Sequence, residues 1–178
     1  MLLLAVLLAG MTAAKADQND RRLPELFARL KQAPDAQAAA PIAAQIWQAW
    51  MAGADEAQNL LMRMGVSAMQ RDDLKAALLH FNALVRQAPN FAEAWNKRAT
   101  VHFLMGDDDA SVADIYRTLE LEPRHFGALS GLAGIFLKYD RLEGALRTYE
   151  KALSIHPHLE GAEEQVKALR LKVYGSPT

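Results

Sequence analysis

The chain has 178 residues, 51% of them hydrophobic and only 7% aromatic, a balance that suits a helical stack rich in small residues more than a β fold. Its formal net charge is −1 at pH 7, with no basic run or basic helix face, so nucleic acid and anionic membrane surfaces are excluded as natural partners. Having no cysteine, it forms no disulfide, offers no thiol nucleophile and carries no site for a lipid-modified leader cysteine.

Leu2 to Ala9 is an unbroken apolar run, followed by Gly10-Met11-Thr12 and the small-residue site Ala14-Lys15-Ala16 before Asp17. Residues 1–16 therefore read as a secretory signal peptide cut after Ala16, departing from the usual pattern only in having no Lys or Arg before the apolar run. A membrane-spanning helix needs about 20 apolar residues, and this run is much shorter. The expectation is a periplasmic or secreted protein of a bacterial host, without membrane insertion once the leader is removed.

After a short tail at 17–21, residues 22–57 read as a divergent N-terminal capping hairpin. Leu23 to Gln32 is its first helix and Pro41 to Gly53 its second. Ala43, Trp47 and Trp50 stand 34 residues ahead of Ala77, Phe81 and Leu84, which suggests a degraded copy of the unit that begins at residue 58. Ala33-Pro34-Asp35 ends the first helix early, and Lys31 stands where helix crossing calls for a small residue.

Three full units occupy 58–91, 92–125 and 126–159, marked by Pro89, Pro123 and Pro157 at 34-residue intervals. Aligned on those prolines, Leu61, Trp95 and Leu129 share a column, and Gly65, Ala99 and Ala133 share another. Ala77, Ser111 and Ala145 coincide, as do Phe81, Ile115 and Tyr149 four residues later. A tiny residue lets two helix backbones approach, and the bulky one a turn away fills the adjacent hole. Each such unit buries only one face alone, so the units must stack, giving an extended binding surface rather than a reaction cleft. At 160–174, Ala162, Val166, Leu169 and Val173 share one helical face opposite Glu163, Glu164, Lys167 and Arg170. That is a C-terminal capping helix, leaving 175–178 as a tail.

Motifs for chemistry are missing. Ser67, Ser111, Ser130 and Ser154 fall on expected helices with no base placed beside them. His80, His102, His125, His156 and His158 are scattered, and the one close pair, His156 and His158, lacks the further ligands of a zinc site. Asp107-Asp108-Asp109 after Gly106 lacks the alternating spacing and distal glutamate of a calcium loop; it reads as a helix start, where acids are favoured. No catalytic residue, metal or cofactor is expected.

The columns resemble the tetratricopeptide repeat, whose pattern has Trp or Leu, then Gly or Ala, then Ala, an aromatic and a closing Pro. The resemblance covers residues 58–159 and is to the exported bacterial kind of such proteins. It implies an all-α, right-handed superhelical solenoid of antiparallel helix pairs. In that family the first helix of each pair lines the concave face and holds peptide ligands. The matching positions here are Asn59, Met62, Val66 and Met69; Glu93, Asn96, Thr100 and Phe103; and Gly127, Ser130, Gly134, Leu137 and Lys138. The Lys and Asn positions by which some members clamp a terminal carboxylate are not matched, since Met62 and Val66 stand where they begin. Arg98-Ala99 with Ala113-Asp114-Ile115 resembles a subset of these repeats. Because Arg98 replaces the apolar Met64 and Leu132 of its column, it needs a partner, and Asp114 is expected to bond to it across the middle hairpin. The function implied is a non-enzymatic scaffold or adaptor of the cell envelope, holding another protein or a peptide segment in its groove. The second expectation is self-association into a homo-oligomer through an exposed end or the Trp47 and Trp50 hairpin.

Overall fold

The structure, a computed structural model, describes residues 17–175; the expected leader at 1–16 and residues 176–178 of the tail lie outside the described residues. After a 3-10 turn at Asp17–Asn19 come α1 (Leu23–Gln32), α2 (Ala36–Met51), α3 (Glu56–Gln70), α4 (Leu74–Gln87) and α5 (Ala92–Leu104). They are followed by α6 (Asp108–Leu121), α7 (Phe126–Lys138), α8 (Leu142–Ile155) and α9 (Ala162–Tyr174). The architecture is the all-α stack of antiparallel helix pairs that the period implies, with α3–α4, α5–α6 and α7–α8 as its pairs.

Local sequence sets the boundaries. Asp35, Asp55, Asp73 and Asp107 each accept a hydrogen bond from the backbone N–H three residues on, capping α2, α3, α4 and α6. Within each pair the turn is made by a residue of positive φ: Asp72 at 59°, Gly106 at 81° and Asp140 at 54°. These stand 34 residues apart, so the period extends to the backbone, and aspartate and glycine are residues that tolerate the left-handed region.

The alternation of tiny and bulky residues becomes the core. A Cβ added to Gly65 would lie 2.6 Å from Phe81 Cζ, so the ring lies directly against the α3 backbone. Ala99 with Ile115, and Ala133 with Tyr149, are buried as the equivalent pairs of the next two units. At the far end Ala162, Val166 and Leu169 of α9 pack on Ala145, Leu146 and Tyr149, covering the open face of α8.

The middle pair carries a charge instead of an apolar contact. Arg98 Nε donates to Asp114 Oδ2 and Nη2 to Oδ1, both at 2.7 Å, while Nη1 donates to Asn82 Oδ1 at 2.9 Å. The guanidinium also lies 4.8 Å from the Trp95 ring centre, which covers it. One side chain thus ties α4, α5 and α6 together.

The N-terminal hairpin departs from its expected place ahead of the first unit. Leu23, Leu30, Ile42, Ile46 and Trp50 form a core with Phe126, packed against Ile155 and Leu159, so α1 and α2 lie across the array's edge at the start of α7. Gln18 Nε2 donates to Asn90 O at 2.6 Å, Arg124 covers the Phe27 ring at 4.2 Å, and His158 Nε2 donates to Ala33 O at 2.8 Å. The ten residues of α1 are too few to present a full crossing face, and Lys31 occupies its crossing column. The stripe of α2 instead buries itself on Phe126. Its second helix also starts at Ala36 rather than Pro41, which lies inside it and forfeits only one backbone bond. Trp50 is 0% exposed, so the surface expected to dock a second copy is already used within the chain.

Removing one partner of the Arg98–Asp114 pair strands the other in a site only 18% exposed at Arg98. Asp114→Ala is expected to lower unfolding stability by about 3 kcal/mol, and Arg98→Met with Asp114→Leu by less than either single change, as read by urea denaturation.

Candidate functional site

Between α5 and α7 lies a cavity of about 200 Å³. Asn96, Ala99, Thr100 and Phe103 form its α5 wall, Ser111 and Ile115 its floor on α6, and Gly127, Ala128, Gly131, Gly134 and Ile135 its α7 wall. The glycines account for the opening. A Cβ on Gly131 would meet only Ile115 Cδ1, at 3.7 Å, and one on Gly134 would meet nothing within 4 Å, so side chains that would fill this space are missing.

Of the expected groove residues, the structure brings Asn96, Thr100, Phe103, Gly127 and Gly134 together here. Phe103 is 42% exposed at the rim, where Lys138 Nζ lies 5.7 Å from its ring centre. Lys138 pairs with Asp108, whose carboxylate also accepts from Tyr139 Oη at 2.8 Å. These bonds from Lys138 and Tyr139 hold the Asp108 carboxyl below its ordinary range and raise the Lys138 ammonium. Asn96 is buried, its Nδ2 donating to Glu93 Oε2 at 3.0 Å, and Thr100 Oγ1 donates to Asn96 O at 3.0 Å. Asn96 therefore shapes the wall rather than presenting a free amide.

The others lie elsewhere. Met62 is 2% exposed and belongs to the α3–α4 core, with Val66 and Met69 half-buried against the same cluster. Asn59 is engaged in the α2–α3 turn, accepting from Gly53 N at 2.9 Å and donating to Asp55 O at 2.8 Å. The first unit thus contributes no residue to the cavity, because its face is spent on core and turn. Ser130 faces a separate hollow with Trp47 and His158, and Leu137 packs on the α8–α9 core. Sequence reading missed Gly131 and Ser111; the signal for the latter was a serine in a column otherwise held by Ala77 and Ala145.

One end of the groove is closed by the hairpin through a buried polar cluster. Glu93 is 1% exposed, and its Oε2 lies 2.8 Å from His125 Nε2. Since Ala128 N donates to His125 Nδ1 at 3.0 Å, the proton of the neutral ring sits on Nε2 and is donated to Glu93. Lys97 Nζ is 3.1 Å from Oε1, an ion pair whose angle is too poor for a hydrogen bond. Burial opposes ionisation of Glu93, but the His125 bond and the Lys97 charge outweigh it and hold the carboxyl below its ordinary value. The Trp50 indole stacks on the opposite side of this network, parallel to the His125 ring at 4.1 Å. Trp47 fits against Gly127, where a Cβ would stand 2.6 Å from its Cη2.

Among the described residues no cluster of three His, Asp or Glu side chains is placed to hold a metal ion, and no helix is long and apolar enough to cross a membrane. No family model matches the chain. A TPR repeat-containing protein of Rhizobium etli is 38% identical over 158 residues, which are 89% of this chain and 78% of that protein. The first TPR of Spaghetti (RPAP3), solved bound to the HSP90 peptide SRMEEVD, superposes with a TM-score of 0.62 at 16% identity, covering 66% of this chain and 94% of that one. The TPR2B domain of yeast Sti1, from a pHsp70 complex, gives 0.59 at 17% identity over 66% of this chain and 96% of that one. These two likenesses establish the fold.

The hairpin contact is expected to weaken with acid. His156, buried against Phe126, is held below its ordinary 6.5 first by burial and then by His158. A depressed pKa stabilises the fold above the unfolded value and loses that stability as pH falls. The His156 contribution therefore declines below pH about 6.5, and that of Glu93 below about 4.5. In a Trp95→Phe background, tryptophan emission should shift to the red in those two steps, and Glu93→Gln should remove only the lower one.

Proposed function

This chain belongs to the tetratricopeptide-repeat family, and on that premise we propose that it is a non-enzymatic scaffold holding an extended segment of another protein between α5 and α7. The observation that carries this reading is the cavity itself, an apolar hollow kept open by Gly131 and Gly134 with Phe103 exposed at its rim. Glycines within a helix cost about 1 kcal/mol each relative to alanine, a cost that internal packing does not repay at Gly134. The Spaghetti repeat domain with its HSP90 peptide supports the reading, as a protein of the same fold holding a peptide. The partner bound here differs from a chaperone tail, because Met62 and Val66 replace the start of the carboxylate clamp and Met62 is buried.

The proposal includes export, supported by the apolar run Leu2 to Ala9 and the small residues before Asp17. Dimerisation through the tryptophans is disfavoured, since Trp47 and Trp50 pack on His125 and Phe126 of the same chain.

Affinity capture from the exported fraction tests the groove. Phe103→Ala with Gly131→Leu, which removes the rim ring and fills the hollow from a position with room for a Cβ, should reduce recovered partner at least about tenfold, the scale of an anchor residue. Undiminished recovery would move the partner to another surface. Mass analysis of the native protein should show a first residue of Asp17; an intact Met1 in the exported protein would refute cleavage after Ala16.

A further inference from the structure

The first repeat has an end that the described residues leave open. Leu60, Met64 and Leu79 are 49%, 41% and 64% exposed, and the period says which way they face. One and two units on, the positions of Leu60 and Met64 are held by Ala94 and Arg98 and by Ala128 and Leu132. Those residues meet the second helix of the unit before: Ala94 shares a core with Leu84 and Val85, Arg98 bonds to Asn82, and Ala128 and Leu132 lie with Val112, Ile115 and Leu119. The position of Leu79 recurs at Arg147, which shares a hollow with Leu132 and with Tyr116 of α6. Leu60, Met64 and Leu79 therefore face the place where a unit ahead of α3 would stand. The hairpin that would fill it lies at α7 instead, so an apolar face with the register of a stacking surface is left bare.

The charges around this face choose its occupant. Glu56 and Arg63 stand about one turn before and one turn after Leu60 on α3, and they bond to each other at 2.7 Å with both side chains largely exposed. An acid and a base set symmetrically about an apolar centre match the same surface turned end for end. Head-to-tail growth lacks such a match, because α9 covers the open face of the last unit. We propose that this end is a dimer interface, with α3 of one copy crossing α3 of a second copy antiparallel near Leu60, and Glu56 of each copy beside Arg63 of the other. The second copy shields Leu60, Met64 and Leu79 from the side that the hairpin vacates. The α5–α7 groove is not part of this face, so the inference stands apart from the groove reading.

The test is sedimentation equilibrium of the whole purified chain over a concentration series. The chain should follow a monomer–dimer equilibrium, and Met64→Glu should raise its dissociation constant at least about tenfold with the far-ultraviolet circular dichroism unchanged. Charge variants give a second readout. Glu56→Arg and Arg63→Glu each set like charges across the axis and should each weaken self-association at least about tenfold, whereas the two variants mixed in equal amounts should form a heterodimer as tight as the original homodimer. A chain monomeric throughout the series, a dimer indifferent to Met64→Glu, or charge variants that fail to associate on mixing overturns the inference. A monomeric chain whose partner capture is lost in Met64→Glu overturns it in favour of another protein on the same face, and a dimer lost only in Trp47→Ala overturns it in favour of the hairpin.

Discussion

The buried carboxylate of Glu93 is the constraint on which the arrangement of this molecule turns. An ionised group taken out of water is tolerated only where donors and opposite charge surround it, and here they come from three directions: Asn96, Lys97 and His125. His125 is the important one. By donating through Nε2 and accepting the α7 N–H through Nδ1, it ties the first turn of α5 to the first turn of α7 and fixes the separation of the two groove walls. Its ring then offers a flat face to Trp50, so one neutral imidazole serves as helix cap, carboxylate partner and docking platform.

That platform explains why the hairpin leaves the position a repeat would take. A stacked repeat needs a crossing face on both helices, and α1 lacks one. Folding across the array edge instead lets Trp50, Trp47 and Phe27 bury large rings against His125, Phe126 and Arg124. The fit is incomplete, since Trp50 Nε1 and His156 Nδ1 are buried without partners, each costing about 1–3 kcal/mol. The hairpin contact thus combines a large apolar gain with unpaired polar groups. Because Trp47 reaches Gly127, the same contact also sets where the groove ends.

The sequence shows some of this and hides the rest for definable reasons. A residue recurring at a fixed interval reports on contacts that recur, so the pairing of Gly65 with Phe81, and its equivalents at Ala99 and Ala133, can be read from spacing alone. The turn residues Asp72, Gly106 and Asp140 obey the same interval, although their side chains differ. The path of α1 and α2 obeys no interval, because Trp50 and His125 meet only once and are far apart in the chain. His125 looks isolated in one dimension. The groove is partly legible for the same reason: family positions on α5 reach the cavity at Asn96, Thr100 and Phe103, while those on α3 are drawn into core and turn by neighbours that the period does not describe.

Departures from the period are therefore where this chain is individual, and they gather in one place. The middle unit puts Arg98 where its neighbours have Met64 and Leu132, and Ser111 where they have Ala77 and Ala145. Next to it, α7 carries Gly131 and Gly134 on the face toward α5. The two kinds of departure support each other. Widening a groove with glycines removes packing between adjacent pairs, and the bidentate Arg98–Asp114 contact, with its third bond to Asn82, restores cohesion by a directional link across α4, α5 and α6. Charge thus replaces volume on the α4 side of the middle pair, while Phe103 and the bare α7 backbone border the cavity on the other.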